Sequence, residues 1–302
     1  MKSSFLAHGK VILIGEHSVV YGMNALAMPI TALHIKADVE KSNETWMDTA
    51  KYHGPFFEAP SDYDGIKYVV KTMMELANSS APVKVTYTGE IPMERGFGSS
   101  ATVALATVRA MDKFYQLNLP EAKIMEITNH AEMINHGKAS GLDAATVNSD
   151  YLVLFNKEDG PKKLEEKLNA TLLIMDTGEL GNTKEAVGMV RKQLETNVDA
   201  NKKIERLGNL ADATIASWHN HDRKSIGQYF TEAEEILASF GLATERINQL
   251  QNIALKNGAL GFKLSGGGLG GIVLALCDNQ EIAEKIAAQS SELIDGYWIE
   301  EI

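Results

Sequence analysis

The sequence predicts an α+β protein. Residues 33–39 and 83–87 alternate between apolar and polar side chains, as half-buried strands do, whereas residues 66–76 repeat apolar side chains with the period of a helix. The two kinds of segment do not follow a strict βαβ order, which disfavours a doubly wound parallel sheet. At 302 residues, 44% of them hydrophobic, the chain is long enough for one large domain or two ordinary ones.

The first half of the chain is predicted to mix strands and helices. The predicted strands are residues 11–15, 33–39, 83–87 and 151–155, with a short strand at 56–57 in an otherwise loop-like stretch. The predicted helices cover residues 66–76, begin at Ala101, run from Pro120 to about residue 135, and include a short helix near Asp143. Proline suits the first turn of a helix because the N–H that it lacks would be unpaired there.

A charged segment, residues 156–167, has no clear hydrophobic pattern and is the predicted domain boundary. We therefore expect an N-terminal domain at residues 1–165 and a C-terminal domain at 166–302. In the second domain, strands are predicted at residues 170–175, 259–264, 272–276 and 297–302. Helices are predicted from Thr183, in three stretches between residues 201 and 256, and from Gln280.

The charge composition of the chain limits the classes of molecule that it is expected to bind. The chain has 29 Lys and Arg against 40 Asp and Glu, a net charge of −11, which argues against nucleic acid or an anionic membrane surface as a partner. A small anionic ligand needs only a local pocket and is not excluded. No signal peptide, transit peptide or membrane-spanning apolar run is evident, and the single cysteine, Cys277, lies in an apolar run. These features favour a cytoplasmic protein.

Residues 91–107, IPMERGFGSSATVALAT, place a small-residue loop directly before a helix. Gly96 and Gly98 can adopt positive φ without steric cost, and Ser99 and Ser100 are candidates for the helix N-cap. Free N–H groups and the positive end of the helix dipole would then meet at one place, which is typical of an anion site and most often of a phosphate site. The alternative is a tight strand-to-helix turn with an ordinary cap.

Two common phosphate motifs do not account for this loop. The P-loop pattern GxxxxGK[ST] is absent. GFGSSA matches G-x-G-x-x-A, but residues 90–95 separate it from the preceding strand, and no acidic residue follows on a strand end as a dinucleotide site requires. The glycines of residues 266–271 match G-x-G-x-x-G but lead into a strand. Neither glycine pattern therefore indicates a dinucleotide site.

Three motifs taken together carry more information. HGKVILIGEHSVVYG, PMERGFGSSAT and KLSGGGLGG, in this order, resemble the three motifs of the GHMP small-molecule kinases, and the first motif together with HGKASGLD is similar to mevalonate kinases. The resemblance spans residues 7–271. It implies a two-domain α+β GHMP kinase fold, with an N-terminal domain like ribosomal protein S5 domain 2 and a ferredoxin-like C-terminal domain. It also implies phosphorylation of the 5-hydroxyl of mevalonate to 5-phosphomevalonate in the isoprenoid pathway, with ATP and Mg²⁺, and is compatible with a homodimer.

The resemblance also implies roles for individual residues. The ATP phosphates would be bound by Gly96, Gly98, Ser99, Ser100 and Ala101. Magnesium would be bound by Ser100 and by Glu132, which lies eleven residues before Asp143. Asp143 and Lys10 match the catalytic aspartate and its lysine partner. Substrate contacts would come from Lys10, Glu16, His17, Asp143 and Thr183, and residues 266–271 would brace the phosphate site.

Each of these positions also has a purely structural interpretation. Glu132 could be a solvated helix carboxylate, and Lys10 a surface lysine at a strand edge. Asp143 and Thr183 could each be a helix N-cap. Glu16 and His17 could be satisfied polar residues at a strand end, and residues 266–271 could form a hairpin.

The sequence departs from the family pattern at three places. His8 stands where proline usually precedes Gly-Lys, and Ser265-Gly266-Gly267 replaces Thr-Gly-Ala. The arginine that better-known mevalonate kinases place near Gly181, to reach the substrate carboxylate, is absent, which leaves Lys10 and His17 as candidate substitutes. The alternatives are therefore another substrate of the superfamily, such as phosphomevalonate, homoserine or a sugar, or a non-catalytic ligand sensor on the same fold.

Overall fold

The computed structural model describes residues 2–89, 91, 95–137 and 140–302, except for the side chain of His136. Residues 92–94 of the predicted glycine loop, and Lys138 and Ala139 of the HGKASGLD motif, lie outside the described residues. The chain forms two compact units, each discontinuous in sequence. The first comprises Met1–Lys10, Pro29–Met93 and Gly98–Asp150; the second comprises Val11–Met28, Glu94–Phe97 and Tyr151–Ile302. The single boundary near residue 165 stays a prediction.

Two long strands contribute residues to both units. They are β1 (Lys2–Ile14) and β2 (Ala25–Lys41). The two strands pair with each other, and in the first unit β2 is antiparallel to β5 (Val83–Gly89). The short β3 (Trp46–Asp48) is parallel to β5 and antiparallel to β4 (His53–Pro55).

Four helices complete the first unit and supply much of its core. They are α1 (Asp64–Leu76), α2 (Ser99–Tyr115), α3 (Glu121–His136) and α4 (Leu142–Val147). Apolar residues of β2 and β5, such as Val39 and Val85, are buried in one cluster with residues of the helices, such as Val70, Met111 and Ile127. This core is what holds the first turn of α2 in place.

The second unit contains a four-stranded antiparallel sheet in the order β11-β8-β10-β9. Its strands are β8 (Thr171–Asp176), β9 (Gly261–Ser265), β10 (Ile272–Cys277) and β11 (Gly296–Glu301). Every residue of β8, β9 and β10 is buried. The helices of this unit are α5 (Thr183–Thr196), α6 (Val198–His219), α7 (Arg223–Ser239), α8 (Glu245–Lys256) and α9 (Gln280–Gln289).

The α+β prediction is confirmed, and two local predictions are wrong. The charged segment 156–167 also contains structure that its sequence did not indicate, because β6 (Leu152–Asn156) and β7 (Gly160–Leu164) form a hairpin there, with Gly160 at φ 75°. Residues 56–57 begin a 3₁₀ turn rather than a strand. The first strand starts at Lys2 instead of residue 11, and its polar Ser3 is buried because its hydroxyl donates to Ala110 O at 3.0 Å. Among the described residues, none of the helices is both long enough and apolar enough to span a membrane.

Candidate active site

The first turn of α2 presents backbone N–H groups at the end of the glycine loop. The helix begins at Ser99, its N-cap is Gly98 at φ 69°, and no side chain among the described residues caps it. The prediction of Ser99 and Ser100 as N-caps is therefore wrong, and the helix starts two residues before Ala101. Glycine suits a left-handed cap. The first hydrogen bond of the helix runs from Thr102 N–H to Gly98 O, so the N–H groups of the residues before Thr102 in the first turn have no partner within the helix.

Lys10 and Asp143 form an ion pair beside this turn. Lys10 lies in β1 with only 3% of its side chain exposed, and its Nζ is 3.0 Å from Asp143 Oδ1. A Cβ on Gly98 would lie 2.8 Å from Lys10 Cε, so the missing side chain of Gly98 provides the space for the lysine. The interpretation of Lys10 as a surface lysine is wrong.

Asp143 is the second residue of α4, whose N-cap is Gly141 at φ 93°. The N-cap interpretation of Asp143 is therefore wrong, because glycine takes the left-handed position before the helix. The Asp143 side chain is 36% exposed, in contrast to its buried lysine partner. The carboxylate is thus held on one side by an ammonium group and remains accessible on the other.

Glu132, in α3, is buried near both residues, with 4% of its surface exposed. Burial raises the pKa of Glu132 to about 7, and the charge of Asp143 adds to this, while a hydrogen bond with Ser100 and the charge of Lys10 oppose it. Asn135 Nδ2 donates to Ser100 Oγ at 2.6 Å and so fixes the serine side chain. The interpretation of Glu132 as a solvated carboxylate is wrong.

The donors Ser100 and Glu132 fit a magnesium ion. A hydroxyl and a carboxylate are the hard oxygen ligands that Mg²⁺ prefers, and a divalent cation would offset the cost of burying the Glu132 carboxylate. Among the described residues, no group of three or more His, Cys, Asp or Glu is arranged to hold a metal. Mg²⁺ commonly takes only one or two carboxylates and completes its coordination with substrate phosphates and water.

The GEH residues of the first motif lie in the second unit. Gly15 has φ 104°, and a Cβ there would lie 2.6 Å from Ala25 Cα. Glu16 forms an ion pair with Lys263, and both side chains are almost fully buried. Glu16 is therefore a satisfied residue at a strand end, and a substrate contact from it stays a prediction.

His17 is also buried, and its backbone is left-handed at φ 61°. Its Nε2 is 2.9 Å from Gly267 O. Burial lowers the pKa of His17; the hydrogen bond to Gly267 opposes this, and the charge of Lys263 lowers the pKa further. A neutral imidazole is a poor counter-ion for a carboxylate, which weighs against His17 as the substitute for the absent arginine.

The glycine-rich residues 266–271, from the third motif, connect β9 to β10, and the two strands pair antiparallel. The hairpin interpretation is therefore confirmed, while the role of residues 266–271 in bracing phosphates stays a prediction. A Cβ on Gly267 would lie 2.9 Å from Thr183 Cα, and one on Gly96 would lie 3.2 Å from Ser265 O. Thr183 is not an N-cap, because Asn182 takes that position and its side chain accepts from Glu185 N–H at 3.1 Å.

The predicted residues thus fall into two groups, one in each unit. The first unit contains Lys10, Gly98, Ser99, Ser100, Ala101, Glu132 and Asp143. The second unit contains Glu16, His17, Gly96 and Thr183. Asn135 and Lys263 were missed by sequence reasoning. Lys263 did carry a signal, because it is the single charged residue in the strand sequence GFKLS.

Comparison with known proteins identifies the family of the chain. The family model of the GHMP kinases N terminal domain matches residues 65–149, and that of the GHMP kinases C terminal domain matches residues 210–293. The chain is 30% identical to the mevalonate kinase of Pyrococcus abyssi, and the match covers 98% of this chain and 97% of that protein.

Solved structures of two different kinases have folds similar to that of this chain. The mevalonate kinase of methicillin-resistant Staphylococcus aureus MRSA252 is 29% identical, with a TM-score of 0.75 over 99% of this chain and 98% of that chain. A Streptococcus pneumoniae phosphomevalonate kinase reaches 0.83 at 17% identity over 99% of both chains, which shows the fold alone. The expected two-domain GHMP kinase fold is confirmed. Because both family models match and a relative at 30% identity covers nearly the whole chain, the chain belongs to the mevalonate kinase family of the GHMP kinases.

Proposed function

We propose that the protein transfers the γ-phosphoryl group of ATP to the 5-hydroxyl of mevalonate, giving ADP and 5-phosphomevalonate. The observation that carries the proposal is the ion pair of Lys10 and Asp143, 3.0 Å apart and next to the glycine cap of α2. The name of the Pyrococcus abyssi relative supports mevalonate as the alcohol.

The nucleotide phosphates are assigned to the first turn of α2. Ser99, Ser100 and Ala101 offer N–H groups that have no partner within the helix, at the positive end of its dipole. The protein carries a net charge of −11, so an anionic nucleotide requires local compensation of this kind. Lys10 adds one positive charge close to the same turn.

Asp143 orients the hydroxyl of the substrate and accepts its proton as the new P–O bond forms. A carboxylate is too weak a base to remove an alcohol proton beforehand, so proton transfer accompanies bond formation. ADP leaves, with the oxygen that bridged the β- and γ-phosphates, as the bond between that oxygen and the γ-phosphorus breaks. The Lys10 ammonium, in contact with Asp143, stabilises negative charge that develops on the attacking oxygen.

Ser100 and Glu132 would hold the magnesium ion, which when bound neutralises charge on the transferring phosphate. Asn135 orients Ser100 for this task through its hydrogen bond to the hydroxyl. Glu132 is the residue whose burial a cation would offset.

A coupled ADP-release assay tests the proposal with mevalonate, phosphomevalonate, homoserine and galactose as separate substrates. We expect ATP turnover that depends on mevalonate and requires Mg²⁺. Turnover with another of these alcohols and none with mevalonate would reassign the substrate within the superfamily. No turnover with any of them would contradict the proposal and favour a ligand sensor.

A further inference from the structure

Asn135 makes a second hydrogen bond, which connects Ser100 to the start of another helix. Gly65, the second residue of α1, donates its backbone N–H to Asn135 Oδ1 at 3.1 Å. An N–H group in the first turn of a helix has no partner within that helix, and the N-cap residue of α1, Tyr63, makes no side-chain hydrogen bond to this turn. Asn135 lies in α3, so the cap of α1 comes from a different helix.

The two hydrogen bonds of Asn135 determine which way its amide faces. A backbone N–H can only donate, so it must contact the amide oxygen, and the NH₂ group is left to donate to Ser100 Oγ at 2.6 Å. Ser100 also forms a hydrogen bond with Glu132, and because an ionised carboxylate can only accept, the proton of this bond comes from the serine. Donors and acceptors therefore follow one direction along a chain of four residues, from Gly65 to Glu132.

The missing side chain of Gly65 provides the space for the Asn135 amide. A Cβ on Gly65 would lie 2.7 Å from both Oδ1 and Nδ2 of Asn135, and 2.9 Å from Ala131 O in the backbone of α3. Glycine is among the least favourable residues in a helix, so helix propensity does not account for its presence in α1. The close approach of the Asn135 side chain does account for it.

This chain of hydrogen bonds leaves Ser100 suited to a cation. The oxygen of a hydroxyl group has two lone pairs. Asn135 occupies one of them and the serine proton is directed to Glu132, which leaves the other lone pair for a metal ion. Replacing a residue that orients a metal ligand by a hydrogen bond typically changes metal affinity or activity by about 10- to 100-fold.

We propose that Gly65 and Asn135 are positioning residues, which connect the N-terminus of α1 to Ser100 and so fix the oxygens of Ser100 and Glu132 for a divalent cation. All four residues belong to the first unit. The kinetic part of this proposal rests on the proposed function, because it requires that the cation act in phosphoryl transfer. The effect on cation binding does not depend on which alcohol is the substrate.

The main test compares Asn135→Ala and Gly65→Ala with the parent protein. We expect each variant to lower kcat by about 10- to 100-fold and to raise the Mg²⁺ concentration needed for half-maximal activity, with little change in the KM for mevalonate. The matched control is Gly188→Ala, within α5, where a Cβ would meet no described atom within 4 Å apart from the backbone of its own helix turn. This control should leave all three constants unchanged.

Two readouts do not depend on catalysis. Amide hydrogen exchange followed by NMR should show a protected Gly65 N–H in the parent protein and exchange at least about 10-fold faster in Asn135→Ala, because the N–H loses its acceptor. Electron paramagnetic resonance measures the binding of Mn²⁺ in the presence of ADP and without mevalonate. The Kd for Mn²⁺ should rise by about 10-fold or more in both Asn135→Ala and Gly65→Ala, and not in Gly188→Ala.

A double variant tests whether Gly65 acts through Asn135. In Gly65→Ala/Asn135→Ala the amide that the new methyl group would displace is absent, so this variant should bind Mn²⁺ about as weakly as Asn135→Ala alone. Fully additive losses of affinity would show that Gly65 acts by another route and would overturn its assigned role.

The outcomes separate the two proposals. A parent protein without mevalonate turnover contradicts the proposed function, and Mn²⁺ binding and amide exchange then decide the positioning role alone. Faster exchange at Gly65 in Asn135→Ala together with an unchanged Kd for Mn²⁺ would reduce Asn135 to a helix cap and overturn that role. If Gly65→Ala does not fold, Asn135→Ala, which only shortens a half-buried side chain, decides by the same two measurements.

Discussion

Replacing Glu234 by glutamine should stabilise the protein at alkaline pH and not at acidic pH. Burial raises the pKa of Glu234 from its ordinary 4.5 to about 7; the Leu264 N–H and the charge of Lys263 oppose this, and the charge of Glu16 adds to it. Glutamine has the shape of the protonated acid and cannot ionise. The variant therefore keeps the uncharged form of this side chain at every pH.

The direction and size of the effect follow from proton binding. Between pH 4.5 and about 7 the folded protein holds a proton on Glu234 that the unfolded chain has lost, so the free energy of unfolding falls as pH rises. A pKa difference of about 2.5 corresponds to about 3 kcal/mol. This contribution is fully present below pH 4.5 and is lost once pH exceeds about 7.

Urea unfolding at pH 5.0 and pH 8.5 measures this contribution. The stability of Glu234→Gln relative to the parent protein should be more favourable at pH 8.5 than at pH 5.0 by most of the roughly 3 kcal/mol. The other titrating groups are common to both proteins and cancel in the comparison. The control Glu235→Gln changes an exposed neighbour and should show no such pH dependence. A relative stability of Glu234→Gln that stays constant over this range would refute the reasoning.

Three further predictions concern the phosphoryl-transfer site. Asp143→Asn should lower kcat by about 1000-fold or more while ATP still binds, because the proton acceptor is lost; near-normal turnover in a single-turnover assay would remove its proposed role. Glu132→Gln should raise the Mg²⁺ concentration needed for half-maximal activity, and an unchanged Mg²⁺ titration would exclude it as a ligand. Gly98→Ala should lower kcat, because its methyl group would lie 2.8 Å from Lys10 Cε. Gly137→Ala is its control: φ is 75°, no described atom lies within 4 Å of a Cβ built there, and only about 1 kcal/mol of stability should be lost. Equal kinetic effects of the two alanines would contradict the steric argument.

The backbone of the proposed phosphate-binding turn was partly predictable because its chemistry is local. Gly98 before a helical run can adopt a positive φ, and the structure has a left-handed Gly98 directly before α2. The position of the cap was not predictable from side-chain preference. Serine is the better N-cap in general, but here the backbone turns at glycine, and Ser100 is left to contact Asn135 and Glu132.

The partners of the site residues were predictable only where a family resemblance named them. Lys10 and Asp143 are 133 positions apart along the chain, and the resemblance paired them before the structure did. No such guide existed for Lys263, which lies 247 positions from Glu16, or for Asn135, which lies 35 positions from Ser100. A charged residue within an apolar strand indicates a buried partner without identifying it.

The sequence by itself determined the fold class, the order of most helices and strands, and the family. Hydrophobic periodicity and the order of motifs are visible in the linear sequence and need no information about contacts in space. Tertiary structure alone decided which side chains neutralise one another. It placed Glu16 against Lys263, and it buried Glu132, where loss of water raises the pKa of the carboxyl group. Burial and electrostatic contact depend on distances in space, and residues distant in the chain acquire those distances only when it folds.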